Sequence, residues 1–142
     1  EEALGCMINT IGNIEASGVV GSGFIAHAKS RSHYLKFYKL FLQAYKQGGV
    51  EPFTSSEQIT SALIRMGLPL EVKEIAYTNG VPEDMEMEVE RYLQRCVFDD
   101  TVSLKQMLTN PITGPYLESC RKNGMWQFSQ HVDMIFINTP HV

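Results

Sequence analysis

Long hydrophobic runs are missing from this chain. Nothing approaches the roughly 18 consecutive apolar residues of a membrane-spanning helix, so no membrane span is expected. The uncharged stretch from Ala16 to Ala28 is too short to cross, and no basic segment precedes it to make a secretory signal. Cysteine is scarce. Cys6, Cys96 and Cys120 are odd in number and carry no CxxC spacing, which argues against a disulfide framework and against a zinc site. Thiols at helical positions read as small core residues, and a reducing, intracellular (cytoplasmic) compartment is the expectation. His27, His33, His131 and His141 show neither an HExxH pattern nor a paired i, i+4 spacing, so neither a metal nor another cofactor is expected. Internal repeats and low-complexity tracts are lacking too.

What is present is ordinary globular material. The chain has 142 residues, 44% apolar and 20% charged, which suits one domain over 1–142 with a core that needs no staples. It opens on Glu1 instead of Met, as expected of a processed or excised chain. The net charge of −4 hides a split. No acid lies between Glu15 and Glu51, where Lys29, Arg31, Lys36, Lys39 and Lys46 fall. From Glu51 to Asp100, eleven acids stand against four basic residues. Such a division marks either a binding face or two faces of one molecule that attract each other.

Helical periodicity dominates the pattern. Leu4, Met7, Ile8, Ile11 and Ile14 recur at helical spacing. In "SRSHYLKFYKLFLQAYKQGG", Tyr34, Tyr38, Phe41, Leu42 and Tyr45 gather on one side and Lys36, Lys39, Gln43 and Lys46 on the other. "TSSEQITSALIRMG" opens with Thr54 and Glu57 at capping-box spacing and ends at Gly67. "PLEVKEIAYTNG" reads as a helix from Pro69 to Asn79-Gly80. Pro82 starts another, with Glu83, Asp84 and Glu86 in its first turn to complement the helix dipole. Short helices follow over 101–108, capped by Asp100 or Thr101, and from Pro115 to Asn123-Gly124. "MWQFSQHVDMIFIN" fits a helix through Met125, Phe128, Val132 and Ile135, and a strand through Trp126, Phe128, Val132, Met134 and Phe136; helix is preferred. The expected fold is all-α, an irregular or orthogonal bundle of seven or eight short helices, with one C-terminal strand as the alternative.

The chemistry is sparse. Gly21, Gly23 and Ala26 match the G-x-G-x-x-G/A pattern of a dinucleotide turn. That turn needs a second strand and an acid about 20 residues on to hold the ribose, and the next acid here is Glu51. A nucleotide-cofactor domain on Gly21 and Gly23 is therefore the third reading. Cys120 and His131 are the one tempting nucleophile–base pair, with Asp133 as an orienting carboxylate. The chain is not expected to be an enzyme. The leading expectation is a protein-interaction or assembly module. In it, a basic helix face, Arg31, Lys36, Lys39 and Lys46, meets an acidic surface such as Glu83, Asp84, Glu86, Glu88 and Glu90 of a protein partner, a second copy being one candidate. An RNA- or DNA-contacting role for the same lysines, with tyrosines stacking on bases, is the alternative.

Two fragments carry resemblances. "ITSALIRMGLP" resembles the Met-Gly-hydrophobic loop of ubiquitin-associated domains, and "CVFDDTVSLKQMLTNPITGPYLES" is similar to the late helices of regulator-of-G-protein-signalling domains. Each covers under a quarter of the chain, and no site residue is transferred from either.

Overall fold

The C-terminal segment is a strand, and it organises the sheet. In the computed structural model, which describes residues 22–47 and 54–138, the elements run β1 Ser22–Ala28, α1 His33–Tyr45, α2 Ser56–Arg65, β2 Leu70–Pro82, α3 Glu86–Val97, α4 Leu104–Thr109, α5 Thr113–Ser119, β3 Arg121–Lys122 and β4 Met125–Asn138. The strands form one four-stranded sheet in the order β1-β4-β2, with β3 paired to β4 off that path. Both β1 and β3 run antiparallel to β4. Five helices with this sheet correct the expectation of an all-α helical bundle. The N-terminal helix expected over Leu4–Ile14 lies outside the described residues.

Three misread segments have physical explanations. In β4 the buried positions are Trp126, Phe128 and Gln130, then Asp133, Ile135 and Ile137. Two period-2 runs in opposite phase leave apolar side chains three and four apart, which imitates a helix. β2 ends the sheet path, and every residue from Glu71 to Thr78 is exposed. Its apolar residues alternate in two short runs of opposite phase, Leu70 and Val72 and then Ile75 and Tyr77, and the three-residue step between the runs imitates a helix. Asn123 and Gly124 do not end a helix. At φ 54 and φ 74 they supply the two left-handed residues of a tight hairpin between β3 and β4.

The described residues fall into two compact units, one of 22–30, 54–75 and 131–138, the other of 31–47 and 76–130. In the first, α2 begins at a capping box one residue later than expected: the Ser55 side chain accepts from Gln58 N–H and the Gln58 side chain accepts from Ser55 N–H. It places Ile59 and Leu63 against Ile135, Ile137 and Leu68, with Ile25, Met66 and Leu70 around them. Gly67, at φ +74, turns the chain out of the helix. Gly23 sits inside β1 opposite Ile137, not at a strand-to-helix turn.

The second unit gathers Phe37 and Phe41 of α1, Val89, Leu93 and Cys96 of α3, Met107, Leu117, Trp126 and Phe128 into one core. α4 starts at Ser103, whose side chain makes a capping box with Gln106. A Cβ on Gly114 would lie 2.3 Å from the Leu108 carbonyl oxygen, so glycine alone lets α5 approach α4 this closely. α1 exposes Lys36, Lys39 and Lys46 as its periodicity implies. Its buried stripe is His33, Phe37 and Phe41 at i, i+4 spacing, with Tyr34, Tyr38 and Tyr45 half-buried at the margins. Truncating either phenylalanine should therefore cost more than truncating a tyrosine. Phe41→Ala is expected to lose about 3–5 kcal/mol, and a denaturant midpoint close to that of Tyr38→Ala would contradict the assignment.

Candidate functional site

The residues proposed for partner binding all lie in the second unit, on α1 and at the approach to and start of α3. The lysine face is partly engaged within that unit. Lys46 Nζ pairs with Asp99 Oδ2 at 3.0 Å, and Lys36 Nζ lies 5.0 Å from the centre of the Tyr116 ring. Thr101 donates its hydroxyl to Asp99 at 2.5 Å and its N–H at 2.8 Å. These bonds, together with Lys46, hold the Asp99 carboxyl down at about 2. Arg31 and Lys39 are exposed at the surface.

The acidic stretch divides in two. Glu83 accepts from Arg121 Nε at 2.8 Å, and Glu90 accepts the Leu104 N–H at 2.8 Å, so both serve the unit's own structure. Asp84, Glu86 and Glu88 are exposed and have no ion-pair partner among the described residues. Met85 and Met87 stand among them, Met87 with 69% of its surface exposed. The N-terminal turn of α3 is thus an acidic surface with soft apolar side chains in it.

Sequence reasoning missed an aromatic and polar cluster in the same unit. His33 is 1% exposed and stacks on Phe37, Tyr92 and Tyr116, with Phe128 tilted against it at 4.4 Å between ring centres. Its Nδ1 pairs with the Tyr116 hydroxyl at 2.6 Å, and its Nε2 has no hydrogen-bond partner among the described residues. Gln130 is the hub beside it. Its Oε1 accepts from Ser32 Oγ at 2.6 Å and from Tyr34 N–H at 3.2 Å, while its Nε2 donates to the Tyr92 hydroxyl at 3.0 Å. Asn79 Nδ2 also donates to that hydroxyl at 3.0 Å. Burial raises Tyr92 to about 12 and pushes Tyr116 higher still. The readable signal was the i, i+4 spacing of His33, Phe37 and Phe41.

A charged cluster occupies the first unit. Lys29 Nζ lies 3.5 Å from Asp133 Oδ2 and 3.7 Å from Glu74 Oε2. Ser56 Oγ donates to Asp133 at 2.8 Å, and His131 Nδ1 pairs with Glu74 at 3.0 Å. His131 and Asp133 are therefore engaged with these partners. Cys120 belongs to the second unit, where its thiol donates to the Tyr116 carbonyl at 3.4 Å. Burial raises the Cys120 thiol and takes Cys96 to about 11, which keeps both protonated and unreactive near neutrality. Among the described residues no three His, Cys, Asp or Glu side chains converge on a metal position. Nor is any described helix long and apolar enough to cross a membrane.

No protein-family model matches the chain, and no curated protein matches it in sequence. The two fragment resemblances therefore carry no family assignment. In the structure, "MGLP" leads from α2 into β2.

Burial holds His33 neutral, lowering it from 6.5 to about 3. Between these values the unfolded chain takes up a proton that the folded one refuses, so stability falls as pH drops through that window. The slope from this group is at most about 1.4 kcal/mol per pH unit. Urea midpoints at pH 7 and pH 5 should converge in His33→Phe relative to the parent. An unchanged pH dependence would remove His33 as its source.

Proposed function

We propose that the protein is a non-catalytic interaction module that docks a cationic protein surface on the acidic start of α3. The observation that carries the reading is the set Asp84, Glu86 and Glu88, exposed, without ion-pair partners among the described residues and interleaved with Met85 and Met87. Carboxylates that face water steer a basic partner and fix its register, and the methionines supply adaptable apolar contact. The exposed Lys36 and Lys39 of α1, with Arg31 in the turn before it, offer a complementary surface, so a second copy of the chain is one suitable partner. Charge at the rim acts mainly on association rate and partner choice. The engagement of Lys46 with Asp99 shifts the balance toward the acidic side as the docking surface.

The test is charge reversal followed by mixing. Glu86→Lys with Glu88→Lys should abolish low-salt association measured by light scattering, and Lys36→Glu with Lys39→Glu should do the same. Mixing the two double variants should restore a complex, because each then offers what the other lacks. Association should also weaken as salt rises, since screening acts within about 10 Å at 0.1 M. A parent chain that stays monomeric at low salt and high concentration, and binds no basic protein, would end this reading.

A further inference from the structure

Among the described residues the sheet ends at β1, and that edge has an unusual composition. Edge strands are normally blunted by charge, proline or a bulge. β1, "SGFIAHA", has neither a charged residue nor a proline, and its pairing with β4 is regular from Ser22↔Asn138 to Ala28↔Val132. β2, at the other end of the sheet path, carries Glu71, Lys73 and Glu74. Among the described residues no strand pairs with the outer side of β1.

The hydrogen-bond parity says which groups face outward. Lys29 N–H donates to the His131 carbonyl at 2.8 Å, and this pair continues the β1–β4 register. Antiparallel ladders alternate, so His27, Ile25 and Gly23 direct their peptide groups toward β4. Phe24, Ala26 and Ala28 direct theirs to the outer edge. Asn138 N–H, which donates to the Pro69 carbonyl on the other side of β4, has the matching parity.

Both faces of β1 carry an apolar side chain. Ile25 packs into the cluster of Ile59, Leu63 and Ile135 on one face. On the other face Phe24 leans on Phe136, 6.1 Å between ring centres, and remains 61% exposed. α2 packs over β1 itself and carries a second unburied apolar residue, Ile64, 62% exposed. No charged side chain or proline stands on either face of β1 to deter a further strand at this edge.

We infer that β1 is completed by a further strand, an extended polypeptide segment with uncharged, apolar side chains on both of its faces. It would pair with the outward peptide groups of Phe24, Ala26 and Ala28. Main-chain bonds supply the attachment, and Phe24 supplies apolar contact, as in strand addition to other open sheets. The absence of charge on β1 selects for an uncharged strand and against the highly charged segments that β2 would accept. This surface lies in the first unit and is independent of the acidic start of α3.

The experiment is amide exchange by NMR on the whole chain, with the capped peptide Lys-Val-Val-Ile-Val-Thr-Lys as probe. Exchange at Phe24, Ala26 and Ala28 should slow about tenfold at nine-tenths occupancy, while Ile25 and His27, already bonded to β4, should not change. The same peptide with alternate nitrogens methylated should have no effect. Ala26→Pro removes only an outward N–H and should abolish the response with the β4 ladder intact. Phe24→Lys, which keeps every backbone group, should weaken it as well. Three results would each overturn the inference. One is no change with the peptide. Another is protection of the three outward amides in the chain alone at every concentration. The last is protection that rises with chain concentration without peptide, which would mean that a second copy covers the edge.

Discussion

Strand β4 is the element on which the others depend. β1 and β3 hydrogen-bond to it directly, and it lies between β1 and β2 in the sheet. Its side chains then decide what each unit can bury. In the second unit Trp126, Phe128 and Gln130 point into the core, and in the first Asp133, Ile135 and Ile137 do so. Since the pleat alternates strictly, a one-residue slip would bring Ser129 and His131 inward in place of Phe128 and Gln130. The fully buried Phe128 and Ile135 make that slip costly, so apolar burial holds the register of the whole ladder.

Polar groups fix what apolar burial alone would leave loose. Gln130 is buried, and both ends of its amide are used, by Ser32, Tyr34 and Tyr92. A buried amide with unmet hydrogen bonds is expensive, and that cost restricts α1 and α3 to one arrangement within their unit. His33 takes the opposite course. It stays neutral, keeps one pairing with Tyr116 and gives its ring faces to Phe37, Tyr92 and Tyr116. A histidine in such a place behaves as an aromatic side chain.

How much was legible follows from what covers each segment. α1 and α2 each bury one face and leave the other wet, so the 3.6 period shows plainly and the two helices were readable. The exposed lysines of α1 were readable for the same reason. β1 and β2 were not. The first has apolar residues on both faces, and the second changes phase between Val72 and Ile75, so neither keeps a single alternation. The hairpin at Asn123-Gly124 was legible and was misassigned, because a helix C-cap uses the same two residue types. Of the charged residues, which ones pair could not be read. Lys46 meets Asp99 and Arg121 meets Glu83 across 53 and 38 positions of sequence, distances at which only tertiary structure decides.

The sequence-level charge split acquires its meaning from those pairings. Of the ion pairs between the basic and acidic segments, Lys46–Asp99 lies within the second unit and Lys29–Glu74 within the first, and surface pairs contribute under about 1 kcal/mol each. Stability therefore rests on the aromatic and aliphatic core, and the charges that remain stay exposed at the surface. They are not spread evenly. Glu83 and Glu90 are held by Arg121 and the Leu104 N–H, on either side of Asp84, Glu86 and Glu88 in sequence. The ends of the acidic stretch are fastened to the unit's own framework, while Glu86 and Glu88, with Asp84 in the turn before them, stand at the start of a helix that the core of Val89, Leu93 and Cys96 keeps in place. A set of carboxylates on a rigid helical turn loses less freedom on binding than the same residues on a loop, and so more of its electrostatic attraction survives as affinity.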